Sequence, residues 1–121
     1  MDESVRAALA RDRTIDITTT GRRSGESRRI EIWFHMIDGR AYITGMPGTR
    51  DWYANLLAHP EFTFHLKESV TADLRARATP VTDDAARRAV FERILVNVGR
   101  PGAELDTWLA RSPLVAVDFL E

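Results

Sequence analysis

The chain has 121 residues, 44% apolar and 29% charged, with a net charge of −1 and no cysteine. That size carries a real hydrophobic core in one domain. The absence of cysteine excludes disulfides, thiolate chemistry and Cys-ligated metals, the near-zero charge argues against a general nucleic-acid or membrane-surface binder, and no apolar run approaches the ~20 residues that span a bilayer.

Residues 4–12 read as a weak helix or loosely packed arm with Val5, Ala8 and Leu9 on one side. Ile15 to Thr20 is rich in β-branched residues and reads as a strand. The chain then enters a two-glycine turn, Gly21-Arg22-Arg23-Ser24-Gly25, followed by Arg28 and Arg29. Arg22, Arg23, Ser24 and Arg28 are candidates to cradle a phosphate or a polycarboxylate, because guanidinium forks match such oxygens. A solvated hairpin turn is the alternative for this segment alone. From Arg28 to Ile37, Ile30, Ile32, Phe34 and Met36 alternate with Arg29, Glu31, Trp33 and His35. That period predicts a strand with one apolar and one mixed face. Asp38-Gly39 signals a tight hairpin into a return strand, Ala41 to Thr44.

Gly45-Met46-Pro47-Gly48-Thr49-Arg50-Asp51-Trp52-Tyr53-Ala54-Asn55 is the second segment of interest. A glycine loop feeds a helix over about 51–58, capped by Thr49 or Asp51, with free N–H groups that suit an anion or a heterocycle's carbonyl oxygens. Trp52 and Tyr53 either wall a ligand or anchor the core. His59-Pro60 ends the helix. Phe62 to Leu66 and Val70 to Ala78 alternate as strands. Thr82 opens an amphipathic helix (Ala86, Ala89, Val90, Arg93, Ile94, Val98) stopped by Gly99 and Pro101. A short helix over 103–110 and a strand from Leu114 to Phe119 complete the chain.

The order β-β-β-α-β-β-α-α-β, dominated by hairpins, predicts an α+β fold: a six-stranded, mostly antiparallel small barrel with helices at its edge. His35, His59 and His65 lack metal-ligand spacing, so no metal is expected. Ser24 lies outside a nucleophile elbow, and Asp83-Asp84 reads as dipole complementation at a helix start.

Taken together, Thr18-Thr19-Thr20-Gly21-Arg22-Arg23-Ser24-Gly25-x-x-Arg28, Trp33-Phe34, Asp38-Gly39-Arg40, Trp52-Tyr53-x-Asn55-Leu56-x-x-x-Pro60 and Ser112-Pro113-Leu114-Val115-Ala116-Val117 resemble the deazaflavin-dependent nitroreductase family. The resemblance runs from about Ile15 to Phe119. It implies a split β-barrel over 1–121 and an oxidoreductase that uses coenzyme F-420, a hydride carrier with a phosphate and an oligoglutamate tail. It implies that Arg22, Arg23, Ser24 and Arg28 grip the phosphate and tail. Gly45, Met46, Pro47, Gly48, Arg50, Asp51 and Trp52 would border the ring, with Asn55 behind and Trp33 near the substrate. That substrate would be a quinone, enone or nitro compound. No side chain is then required as a catalytic nucleophile, since the coenzyme carries the hydride. The chain departs from the family pattern at Met46-Pro47-Gly48, where relatives have Ser-Lys-Gly, and at Ser27, where they have Pro. Those departures keep open an FMN-dependent barrel or a non-catalytic carrier of cofactor, haem or lipid. The expected setting is cytoplasmic, with a small-molecule partner, no nucleic acid, and a homodimer left open, Trp108 being one residue that could serve it.

Overall fold

In the computed structural model, which describes residues 1–45, 51–100 and 102–120, six strands close into an antiparallel barrel. The strands are β1 (Thr14–Thr20), β2 (Ser27–Ile37), β3 (Arg40–Thr44), β4 (Glu61–Leu66), β5 (Ala72–Pro80) and β6 (Leu114–Phe119). Their order around the barrel is β1-β2-β3-β6-β5-β4, and β4 returns to pair with β1. The helices are α1 (Glu3–Arg11), α2 (Asp51–Ala58), α3 (Asp84–Asn97) and α4 (Leu105–Arg111), the last preceded by a 3₁₀ turn over Gly102–Glu104. Closure leaves no open sheet edge in a six-stranded fold.

The β2–β3 hairpin forms for a local reason. Asp38 and Gly39 both take positive φ, 51° and 80°. A tight turn that matches the right-handed strand twist demands that conformation, which Asp and Gly supply at low cost. Within the barrel, Ile15, Ile17, Phe34, Ile43, Phe64 and Val115 are fully buried. The Phe64 ring packs edge-on to Phe34 at 5.1 Å and to Phe119 at 5.0 Å, the geometry aromatic quadrupoles favour.

The start of the chain is not a loose arm. Asp2 caps α1 by accepting from the Val5 N–H at 2.9 Å, and Val5, Ala8 and Leu9 join the barrel core. The buried carboxylate of Asp12 then holds Ser69, accepting from its hydroxyl at 2.8 Å. Three readings of the α3–α4 region are corrected. The cap of α3 is Asp83, which accepts from Ala86 N–H, and not Thr82. The buried stripe of α3 is Val90, Phe91, Ile94 and Leu95, while Arg93 turns outward to grip Asp38 at 3.0 Å. Trp108, considered for an interface, is 6% exposed and packs on Phe91 at 5.7 Å. Together with Ile37 and Leu114 these residues form a second core on the outer side of the sheet.

Removing the ring that joins the inner layers should be costly. Phe64→Ala is expected to lower unfolding stability by about 3–5 kcal/mol in a urea titration, against less than ~0.5 kcal/mol for Leu57→Ala on the exposed side of α2.

Candidate functional site

The pairing of β1 with β2 decides where the arginines point. Thr19 lies opposite Arg28, and Ile17 opposite Ile30. Successive strand residues face opposite sides, so Arg28 and Ile30 share the inward parity of Ile32 and Phe34. Near the turn, that side opens into a cleft of about 420 Å³. It is lined by Arg22, Arg23, Ser24, Arg28, Trp52 and Asn55, among others. Arg29 has the opposite parity. Its Nε donates to Asp16 at 3.0 Å, and Asp16 also accepts from Lys67 at 2.7 Å. The carboxyl of Asp16 is held below its ordinary range by the hydrogen bond from Lys67 first, with a further one from Arg29. That network engages Arg29 on the outer surface.

The turn itself is pinned from two sides. The Gly21 N–H donates to Glu26 O at 2.8 Å, and the Glu26 N–H donates to Ser24 Oγ at 3.1 Å. A Cβ on Gly21 would lie 2.6 Å from that Ser24 oxygen, so a larger residue there would displace the Ser24 side chain from its bond to Glu26. From α2, the buried Asn55 accepts the Arg22 N–H at 3.0 Å and donates to Thr19 Oγ1 at 3.4 Å. Asn55 therefore acts on the turn, holding Arg22 at the cleft. Arg22 also lies 3.6 Å from Asp51. Arg23 and Arg28 form no hydrogen bond or ion pair among the described residues. Among the described residues, three guanidinium groups thus face one carboxylate on the cleft wall, the charge balance expected of a seat for a multiply charged anion. Trp52 reaches this cleft while 6% exposed and packed edge-on to Tyr53 at 5.9 Å, so it anchors the core as well as walling the site.

Farther along β2 a second cavity of about 240 Å³ opens, lined by Ile32, Trp33, His35, Thr44, Gly45 and Trp108, with Val98 and Arg100 at its side. Trp33 is half exposed, with the Arg13 guanidinium 5.9 Å from its ring centre. Arg28 and Trp33 are five residues apart, about 17 Å along an extended strand. The two cavities are thus in sequence on one strand. Gly45 borders one and Asp51 the other. Met46, Pro47, Gly48, Thr49 and Arg50, named above as ring-loop and cap candidates, lie outside the described residues.

His35 is the group the sequence reading passed over. It was weighed only as a metal ligand, yet it lines the second cavity and is 9% exposed. Burial, reinforced by the nearby charge of Arg13, pushes its pKa down from 6.5 to about 4, so the ring is neutral at ordinary pH. Its place beside Trp33 on the mixed face was legible; its cover was not. His65 is buried too, but its Nε2 sits 2.7 Å from Thr18 Oγ1 and its Nδ1 2.7 Å from Asp73. That chain resembles a hydrolytic triad, but neither cavity includes it; it is a strut across β1, β4 and β5. No group of residues among those described could hold a metal ion.

Comparison with known proteins follows this geometry. A protein-family profile described as F420H2-dependent quinone reductase matches residues 4–117. Among solved structures, one described as an F420 reductase superposes with a TM-score of 0.71 at 17% identity, covering 100% of this chain and 97% of the other. A structure described as an F420-H2 dependent reductase gives 0.64 at 21% identity, over 88% and 95%. A conserved hypothetical protein of Mycobacterium tuberculosis gives 0.74 at 20% identity, over 100% and 82%. At these identities the superpositions establish a shared fold, the split barrel.

Two outcomes follow from the site. Asn55→Ala leaves the Arg22 N–H and the buried Thr19 hydroxyl without their Asn55 partner, and should cost about 1–3 kcal/mol in thermal or urea unfolding. The pH response of His35 has a definite sign. Its native pKa lies below its unfolded value, so the unfolded chain binds more protons between them. The neutral ring's contribution is complete above about pH 6.5 and is lost as pH falls through about 4. Wild type should therefore lose on the order of 3 kcal/mol more than His35→Leu across that interval, measured by denaturant unfolding at each pH.

Proposed function

The chain belongs to the F420H2-dependent quinone reductase family, and from that premise we propose that the arginine cleft seats the phosphate and acidic tail of coenzyme F-420 while the Trp33 cavity takes the substrate. The protein is a deazaflavin-dependent oxidoreductase. The substrate in this reading is a small conjugated molecule such as a quinone, enone or nitro compound. When bound, the coenzyme supplies the hydride.

The observation that carries the reading is the cleft's charge. Arg23 and Arg28 have no partner among the described residues, and Arg22 is held at the cleft by Asn55. A polyanion satisfies all three. FMN, with one phosphate and no acidic tail, would use fewer of them. The Ser24 hydroxyl accepts from Glu26 N–H, and its hydrogen remains to donate to an anionic oxygen.

In sequence, residues 45–51 link Gly45, which borders the Trp33 cavity, to Asp51, which borders the cleft. Their glycines, Gly45 and Gly48, permit close approach to a flat ring. Pro47 removes one backbone donor from that contact, which leaves Gly45, Met46, Gly48, Arg50 and Asp51 to complete it. The protein's work in this arrangement is orientation and exclusion of water: Trp33, Ile32 and Trp108 wall an apolar space next to Gly45.

The test separates two neighbouring arginines. The coenzyme's fluorescence, titrated with wild-type protein, should change saturably at micromolar levels. Arg28→Ala should weaken binding about 10- to 100-fold, because it removes a charge-assisted contact. Arg29→Ala, whose side chain is engaged by Asp16, should stay within about threefold of wild type. A wild-type titration with no saturable change, or equal losses from both variants, would overturn the assignment.

A further inference from the structure

We propose that the ring N–H of His35 donates a hydrogen bond to the carbonyl oxygen of a ring ketone, a quinone or an enone, lodged against Trp33. This rests on the reading of the Trp33 cavity as the substrate side.

The argument begins with parity on β2. Trp33, His35 and Ile37 project to the outer side of the sheet. Ile37 is sealed within the second core and Trp33 is half exposed. His35 lies between them, more than nine-tenths buried, where the cover of α3 and α4 ends at Val98 and Trp108. A buried imidazole without a partner is costly. Yet His35 makes no hydrogen bond among the described residues, while the equally buried His65 has both nitrogens engaged. Nor is the His35 ring closed off: Ser112 Oγ is the one side-chain nitrogen or oxygen, among the described residues, that is sealed without a partner.

The hydroxyl and the guanidinium of the cavity are already engaged. The Thr44 hydroxyl donates to Pro113 O, and Arg100 pairs with Glu104 at 3.2 Å. What remains is a mostly apolar, aromatic-walled space of about 240 Å³ whose free polar groups, among the described residues, are the His35 ring and the indole N–H groups of Trp33 and Trp108. A flat, uncharged ligand with a strong acceptor fits that chemistry, and a carbonyl is such an acceptor. The charged groups around His35 are Arg13 and Arg100, with Arg11 and Asp12 on the neighbouring pocket that it also lines; the Asp12 carboxylate is taken up by Ser69, and the cationic groups favour an oxygen acceptor over a cation. No proton is transferred from His35 in this proposal, since neutral imidazole is too weak an acid; it orients the carbonyl and stabilises negative charge on its oxygen.

The test uses cofactor-free protein. Binding of 2-methyl-1,4-naphthoquinone and of its carbonyl-free analogue, 2-methylnaphthalene, is read by quenching of Trp33 and Trp108 emission. In His35→Leu the ratio of quinone to hydrocarbon affinity should fall about five- to tenfold, the loss of one neutral hydrogen bond. His35→Gln, which keeps an N–H donor, should recover part of it. His35→Phe, which fills the volume, should behave as His35→Leu and serves if that variant fails to fold. An unchanged ratio in the folded apolar variant overturns the proposal. Coenzyme F-420 affinity, measured in parallel, should be the same in all variants. If wild type shows the quinone preference but does not bind the coenzyme, the parent reading fails and the His35 contact stands.

Discussion

Everything distinctive in this molecule depends on the alternation of side chains along β2 within a closed barrel. Eleven residues of one strand serve three environments in turn. At its start the inward parity carries Arg28 and Ile30 to the barrel's open end, where they line a charged cleft. In its middle Ile32 and Trp33 border an apolar cavity from the two faces. At its end Phe34 fills the barrel while Ile37 fills a second core under α3 and α4. A register shift of one residue against β1 would exchange Arg28 for Arg29 and dismantle all three at once.

The register is held by features far from the sites. Asp38 and Gly39 set the β2–β3 turn by positive φ. Lys67 bridges Asp16 on β1 and Glu31 on β2, with Arg29 joining at Asp16. These exposed pairs add little stability each, but they occupy the outer face with matched charges. The cleft is left with two guanidinium groups, Arg23 and Arg28, that have no match among the described residues. The contrast between Arg28 and Arg29, adjacent in the chain and opposite in role, is the clearest product of that arrangement. Asn55 does the complementary work from α2, joining helix, strand and turn through one buried amide.

The two histidines of the barrel wall show how burial alone does not define a role. His65 is buried and fully engaged by Thr18 and Asp73, so it is structural. His35 is buried, neutral and unengaged among the described residues, at the rim of an aromatic cavity. Both fall on alternating strands, and nothing in residue type or spacing separates them. The difference lies in what the neighbouring strand presents. Asp73 stands opposite His65 on β5, whereas Tyr42 stands opposite His35 on β3.

The amino-acid sequence by itself determined the order of the elements along the chain, the hairpin at Asp38-Gly39, the arginine turn and the end of the Trp52–Asn55 helix. Each is written in local patterns: period-two alternation, glycine placement, and a helix stopped by Pro60. It also carried the resemblance that led to the cofactor. The tertiary structure alone decided which arginine faces the cleft, that Trp108 is core, that α3 turns Phe91 inward in preference to Arg93, and that His35 is covered on one side and open on the other. These are matters of which element packs over which face. Local periodicity says that two faces differ; only the packing of distant segments says what each one meets.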